Sequence, residues 1–296
     1  MKPIEQCTRG LGTVGIVGLG LMGGAIALAL RNRGILPASG VDGNLFACDT
    51  KADVLSAARG SGLIDESFTE AEIMLRECDL VFLCLNPSTL LRFMKDHMAA
   101  FKSGALITDI AGIKGTISAD MERDLREDLD FIPGHPMAGS ERGGFANAER
   151  CDFRGKNYIL TPLRRNKAEN LRYLEDLILR MGFGRVTRTG PEEHDRKIAF
   201  TSQLCHVIAA ALIDCEADTA ITRFGGGSFE DLTRIAMLNV PMWTELFLEN
   251  RVELLRRIDQ FEGSLDALKQ LIAEGQEEGL QERLARVRDR RTAMKL

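Results

Sequence analysis

Short apolar runs alternating with amphipathic stretches fill the first 190 residues. Runs at 13–17, 45–49, 79–85, 105–110, 131–133 and 158–161 carry few charges and read as buried or extended strands. Stretches at 25–31, 51–59, 90–101 and 114–127 have helical character and fall between them. Apolar strands alternating with helices predict a parallel sheet covered on both faces, and the right-handed crossover rule makes a doubly wound sheet the default. Past the turn-prone pair Gly190-Pro191 the pattern changes. Stretches 192–218, 229–237, 242–263 and 265–284 keep helical periodicity, and strand-like runs are absent. The expected fold is α/β: an N-terminal doubly wound Rossmann-type domain over 1–190, then an all-α domain over 191–296.

A chain of 296 residues, 45% of them hydrophobic, can fill two cores. A net charge of −5 and a pI near 5.6 offer no basic face for nucleic acid. The basic segment 283–295 is interrupted by an acid and reads as a solvated helix end. Seven cysteines without a CxxC pair read as reduced thiols, so neither a disulfide framework nor a metal site is expected. The first ten residues lack the apolar core of a signal peptide. No unbroken run of about 18 uncharged apolar residues occurs. A cytoplasmic location without a membrane segment is expected.

Gly18-Leu19-Gly20-Leu21-Met22-Gly23 is G-x-G-x-x-G, with a strand before it and a helix after it. That context is what makes a common motif informative. The first glycine permits the tight turn, the second lets a pyrophosphate approach the backbone, and the third lets helix and strand pack closely. The helix N-terminus adds unpaired N–H groups and partial positive charge. Asp49 closes the second strand, where a carboxylate accepts hydrogen bonds from ribose hydroxyls and repels a 2′-phosphate. An insertion at 32–44 sets it further from Gly18 than a compact unit needs. NAD is therefore expected, and Lys51 leaves NADP open. Expected cofactor contacts are Gly18, Leu19, Gly20, Met22, Gly23, Asp49 and Pro87, the last closing the third strand.

His135 follows the fifth strand, so it should stand at the carboxyl edge of the sheet, where ligands bind in doubly wound folds. Pro136 keeps it out of helical geometry. An imidazole there could take a hydroxyl proton while hydride leaves the same carbon. A structural hydrogen bond would equally explain a lone loop histidine, and Arg234 alone would suit a helix salt bridge with Asp231 or Glu230.

Several segments together bear on that choice. GLGLMGGAIALAL after the first strand, TDIAGIK at 108–114, GHPMAGSE at 134–141 and YILTP at 158–162 form one set. EEHD at 192–195, SQLCH at 202–206, GGGSFEDLTRIA at 225–236 and MWTELFLEN at 242–250 form a second. The chain resembles the prephenate dehydrogenase family from about residue 13 to 272. The resemblance implies NAD-dependent oxidative decarboxylation of prephenate to 4-hydroxyphenylpyruvate on the route to tyrosine, by a homodimer joined through the helical domain. It implies that His135 is the catalytic histidine on the ring hydroxyl and that Arg234 holds a substrate carboxylate. Ser140 and Glu141 would lie beside the substrate, His206 on the domain-joining helix, and Lys114 near the cofactor. A permanently charged guanidinium suits a dianionic substrate in a negatively charged protein.

Two positions depart from the family pattern. Gly112 stands where relatives often have a serine that orients the histidine, and Gln203 stands where many have histidine. Arogenate oxidation by the same groups remains open, with Glu141 a candidate partner for the substrate ammonium. A hydroxyacid dehydrogenase or reductase would share the glycine loop but not HPMAGSE. A catalytically inactive NAD-binding regulator would keep the glycines and lose His135 or Arg234, and both are present.

Overall fold

The computed structural model describes residues 12–37, 43–140 and 142–294. Glu141 and Cys7 lie outside the described residues. The chain first winds through β1 (Val14–Val17), α1 (Leu21–Asn32), β2 (Leu45–Cys48), α2 (Ala52–Gly60), β3 (Glu66–Phe68) and α3 (Ala71–Leu75). It continues through β4 (Leu80–Leu83), α4 (Pro87–His97), β5 (Leu106–Asp109), α5 (Gly115–Asp124) and β6 (Asp130–Ile132). These six strands are all parallel, in the order β3-β2-β1-β4-β5-β6. The order reverses between β1 and β4, which opens a crevice at their carboxyl ends. Strands β1, β2, β4 and β5 are buried at every position, which explains why β1, β2 and β4 carry no charge and why the one acid, Asp109 at the end of β5, is paired inside. One core lies between the sheet and α1 with α6 (Ala168–Arg180); the other lies under α3, α4 and α5.

The run at 158–161 does not join that sheet. Immediately after β6, the chain turns at Pro133 into β7 (Gly134–Pro136), which pairs antiparallel with β8 (Asn157–Leu160). β8 pairs in parallel with β9 (Arg185–Arg188), completing a second, three-stranded sheet. The polar sequences of β3 and β9 hid these strands, since neither is buried enough to need an apolar run.

The helical part comprises α7 (Pro191–Ile198), a π-helical turn (Ala199–Gln203), α8 (Leu204–Asp214), α9 (Gly227–Thr233), α10 (Val240–Glu249), α11 (Arg251–Ala273) and α12 (Glu277–Ala293). The break expected after Gly263 is absent. Gly263 sits in an open part of α11, where it costs only about 1 kcal/mol. The chain instead breaks at Asn250 and at Gly275, whose φ of +61° ends α11 in the left-handed region. The composite helix over 191–214 is long and apolar enough, by length and composition, to cross a bilayer; 28% of that window is buried.

The helical part docks on the sheet edge through α10. Glu245 accepts a hydrogen bond from Ser88 N in the first turn of α4, where a carboxylate is favoured. Thr116 Oγ1 at the start of α5 donates to Glu249 Oε2 at 3.4 Å.

The strand that delivers His135 is anchored by a buried carboxylate. Asp130 on β6 accepts from Asn166 Nδ2 at 2.5 Å, Asn170 Nδ2 at 2.8 Å and Lys167 N at 3.1 Å. Replacing it leaves buried donors without acceptors. Asp130→Leu should lower stability by about 2–3 kcal/mol in a urea titration. An unchanged midpoint and slope would mean the anchor carries no weight.

Candidate active site

The glycine turn has the three geometries that a dinucleotide site requires. Gly18 has φ +88°, and a Cβ there would fall 2.5 Å from Cys84 O, so only glycine makes this turn beside β4. A Cβ on Gly23 would fall 2.1 Å from Gly18 O, because α1 starts directly against the turn. Around Gly20 nothing lies within 4 Å of that position, so the backbone is open to an approaching group. Asp49 Oδ2 accepts from Leu19 N at 2.7 Å and Oδ1 from Lys51 N at 2.8 Å. The carboxylate thus fixes the turn and keeps lone pairs for further donors. Leu19 plays a different part from the one expected: its side chain is in the core and its N–H is already given to Asp49. Met22 packs inward, with Sδ 3.6 Å from Cys151 Sγ. Pro87 is the first residue of α4, where the ring is pre-set for a helix, at the carboxyl end of β4. Next to the fingerprint, Gly24 was missed by sequence reasoning. A Cβ there would meet Ala148 and Phe145 at 2.7–2.9 Å, in the 3-10 segment Phe145–Arg150 that covers α1. The segment after His135 is thereby folded back onto the helix that carries the glycine turn.

His135 lies on β7, opposite Ile159 of β8, and is half-buried. Its Nδ1 is 2.9 Å from His194 Nε2, and His194 Nδ1 is 2.7 Å from Asp195 Oδ1. Asp195 is fixed in turn: Oδ1 accepts from Lys114 N at 2.8 Å and Oδ2 from Gly115 N at 2.7 Å, so α7 supplies the acceptor for the start of α5. Asn250 Nδ2 donates to Asp195 O at 2.9 Å and to Gln203 Oε1 at 2.7 Å, while Gln203 Nε2 donates to Leu246 O at 2.9 Å. The π-helical turn, a distortion frequent at functional sites, ends at this buried Gln203. Burial, then the neighbouring His194 and Lys114, hold the His135 pKa well below the ordinary 6.5. His194 is also lowered by burial, against the pull of Asp195. His135 is therefore a neutral imidazole at neutral pH, the form that accepts a proton.

Below His135 is a buried ion pair. Lys114 Nζ and Asp109 Oδ2 are 2.6 Å apart with both side chains fully shielded from solvent. Asp109 also accepts from Ala111 N at 2.8 Å and from Gly134 N at 3.0 Å. Lys114 is therefore a buried partner of Asp109, its ammonium given to that carboxylate. Gly134 is held so closely that a Cβ would meet the Tyr158 ring at 2.7 Å. At Gly112 a Cβ would lie 3.8 Å from His135 Nε2 and 3.2 Å from Leu246 Cδ2. The residue that relatives often fill with serine thus borders the reactive nitrogen. Leu246 and glycine leave that side apolar here, and the histidine's ring hydrogen bond is made with His194 through the opposite nitrogen.

The remaining expected residues lie on the helical side or on the loop after His135. His206 on α8 is half-buried, bonds Ser202 O through Nδ1 at 2.9 Å, and stacks on Trp243 with ring centroids 3.7 Å apart. Burial lowers its pKa too. Arg234 is exposed, in a 3-10 turn (Arg234–Ala236) that packs against α8, the helix carrying His206. Ser140 Oγ accepts from Arg142 N at 3.3 Å in the loop between β7 and the Phe145–Arg150 segment. The structure thus brings His135, Lys114, Gly112 and the unexpected His194 and Asp195 into one cluster. Arg234 and His206 are carried separately, on the helices docked over it.

Such an arrangement can hold a dinucleotide at the open Gly20 backbone and offer a neutral imidazole as proton acceptor beside it. Comparison with known proteins agrees. A family model described as "Prephenate dehydrogenase, nucleotide-binding domain" matches residues 26–187, and one described as "Prephenate dehydrogenase, dimerization domain" matches 190–286. The cyclohexadienyl dehydrogenase of Zymomonas mobilis is 31% identical over 289 residues, 95% of this chain and 96% of that protein. Among solved structures, the prephenate dehydrogenase from Aquifex aeolicus in complex with hydroxyphenyl propionate and NAD+ has a TM-score of 0.84 at 31% identity. The match covers 97% of this chain and 100% of that one. The Synechocystis arogenate dehydrogenase gives 0.75 at 26% identity, covering 95% and 99%. On the two matching family models, these relatives and the shared fold, this chain belongs to the prephenate dehydrogenase family.

Proposed function

We propose that this chain is an NAD-dependent prephenate dehydrogenase of tyrosine biosynthesis, working in the cytoplasm. The observation that carries the reading is a neutral, half-buried imidazole just past the carboxyl end of β6, on the strand whose following segment folds back onto α1, the helix that starts at the glycine turn. The cofactor would rest on Gly18, Gly20 and Gly23, with Asp49 on its ribose. NAD+ bound there supplies the hydride acceptor. His135 Nε2 takes the proton of the substrate's ring hydroxyl as the carbon beneath it is oxidised. Breaking the bond to the ring carboxylate then releases CO2, and its electron pair restores the aromatic ring. The same proton can return to the ring oxygen, giving 4-hydroxyphenylpyruvate. The enzyme's contribution is orientation and proton acceptance in a site with little water. Arg234 binds a substrate carboxylate, and the family resemblance suggests His206 and Ser140 as further substrate contacts.

A second reading, arogenate as substrate, draws support from the likeness to the Synechocystis arogenate dehydrogenase. Initial rates with the two substrates, each with NAD+ and NADP+, separate them.

A homodimer through the helical domain follows from the match to a dimerization domain and from the surface of the single chain. Phe224, Val252 and Val240 are 87%, 74% and 68% exposed, and Phe200, Leu212 and Ile213 on the composite helix are exposed as well. A second copy covering this face explains an apolar helix without a membrane.

His135→Asn should lower kcat by about 10²–10⁴-fold with little change in KM; unchanged kcat would remove His135 as the base. Arg234→Gln should raise KM for prephenate by about tenfold or more, through loss of a charged hydrogen bond, and an unaltered KM would exclude it from the site. Because the His135 pKa is depressed, the acid limb of kcat/KM should fall below pH 6.5: protonation on the way down removes the base. A limb above 6.5 would contradict the assignment. Light scattering on the purified protein should return the mass of a dimer, and a monomer at micromolar concentration would refute this interface.

A further inference from the structure

We propose that His194, held by Asp195, fixes which nitrogen of His135 is free to act as base. His194 is thus a positioning residue for proton transfer. The inference rests on the reading of His135 as the base and adds the group that prepares it.

Asp195 can only accept, so the 2.7 Å contact requires a proton on His194 Nδ1. His194 is fully buried and its pKa is lowered, so it carries no second proton at neutral pH, and its Nε2 is a bare acceptor. The 2.9 Å contact between the two rings then requires the proton on His135 Nδ1. That leaves His135 Nε2 unprotonated, on the side that borders Gly112. Free imidazole has no such constraint. Here one carboxylate, pinned by the backbone N–H groups of Lys114 and Gly115, sets two tautomers in series. When Nε2 takes the substrate proton, the Nδ1–H still donates to His194, and the new positive charge is aligned with the Asp195 carboxylate beyond it. A second group that fixes tautomer and orientation in this way contributes about 10–10⁴-fold in comparable sites.

Two measurements test this. The chain has four histidines, so the nitrogen NMR spectrum of imidazole-labelled enzyme is simple enough to assign. At neutral pH, in the enzyme without substrate, His135 should be protonated on Nδ1 and bare on Nε2. A proton on Nε2 would overturn the proposal. Kinetically, His194→Leu should lower kcat by about 10–100-fold while KM for prephenate stays within about threefold. His194→Gln places an amide oxygen near the His135 Nδ1–H and should recover most of the loss. Equal losses in both variants would point to packing alone and reject the tautomer role. If His135→Asn lowers kcat while His194→Leu leaves it unchanged, this inference fails and the reading of His135 stands. If His135→Asn retains full turnover, that reading fails first, and the spectrum still reports the tautomer.

Discussion

A fully buried carboxylate, Asp109, holds the site together. It ends β5, and its oxygens take the backbone N–H groups of Ala111 and Gly134 and the ammonium of Lys114. A charge without solvent is costly unless it is paired and hydrogen-bonded, and removing one partner of such a pair typically costs about 3–5 kcal/mol. Here both partners are satisfied, and the three contacts lie on segments that would otherwise be independent. The loop after β5 and the strand crossing from β6 into β7 are therefore fixed relative to each other. His135 is the next residue after Gly134, so its backbone position follows from Asp109. Lys114, which neutralises the carboxylate, gives its own N–H to Asp195, so the orientation of the His135 ring follows from the same junction. Tyr158 adds a further tie, its hydroxyl donating to Asp109 O at 3.3 Å.

What the sequence disclosed, and what it hid, follow from the range of the interactions. Strands buried on both faces admit a polar group only where it is paired inside, so β1, β2 and β4 could be located from uncharged runs, and β5 from its apolar start before Thr108 and Asp109. The glycine turn was legible from its spacing between a strand and a helix: Gly18 takes a positive φ, Gly23 abuts Gly18 O, and the space around Gly20 is open. β3 and β9 lie where burial is slight, and their polar residues gave no pattern. The β6–β7 crossing was invisible because Pro133 merges two strands of different sheets into what reads as one. His194 was the larger omission. It lies within the EEHD segment, 59 residues from His135, and no local periodicity links the two; only the docking of α7 beside α5 does. Lys114 was placed near the cofactor from the resemblance. Its burial on Asp109 arises from a tertiary ion pair that sequence spacing does not encode.

The helical domain completes the arrangement from outside. Glu245 and Glu249 of α10 meet the starts of α4 and α5, while Asn250 and Gln203 lock α11 and the π-helical turn to the backbone of α7. Those contacts set where α8 runs, and with it His206 and the turn bearing Arg234. The domain's outer face is apolar and exposed in a single chain, unlike the sheet domain, whose core is closed on both sides. The histidine cluster is complete within one chain.

The central claim is that His135 Nε2 meets the ring hydroxyl of the substrate beside the glycine turn. A crystal structure with NAD+ and the unreactive hydroxyphenyl propionate tests it most directly. The account predicts the ring hydroxyl at hydrogen-bond distance from Nε2, about 2.6–3.2 Å, with the carboxylate of the ligand on Arg234. A ligand seated elsewhere, or a hydroxyl contacting groups other than His135, would contradict it.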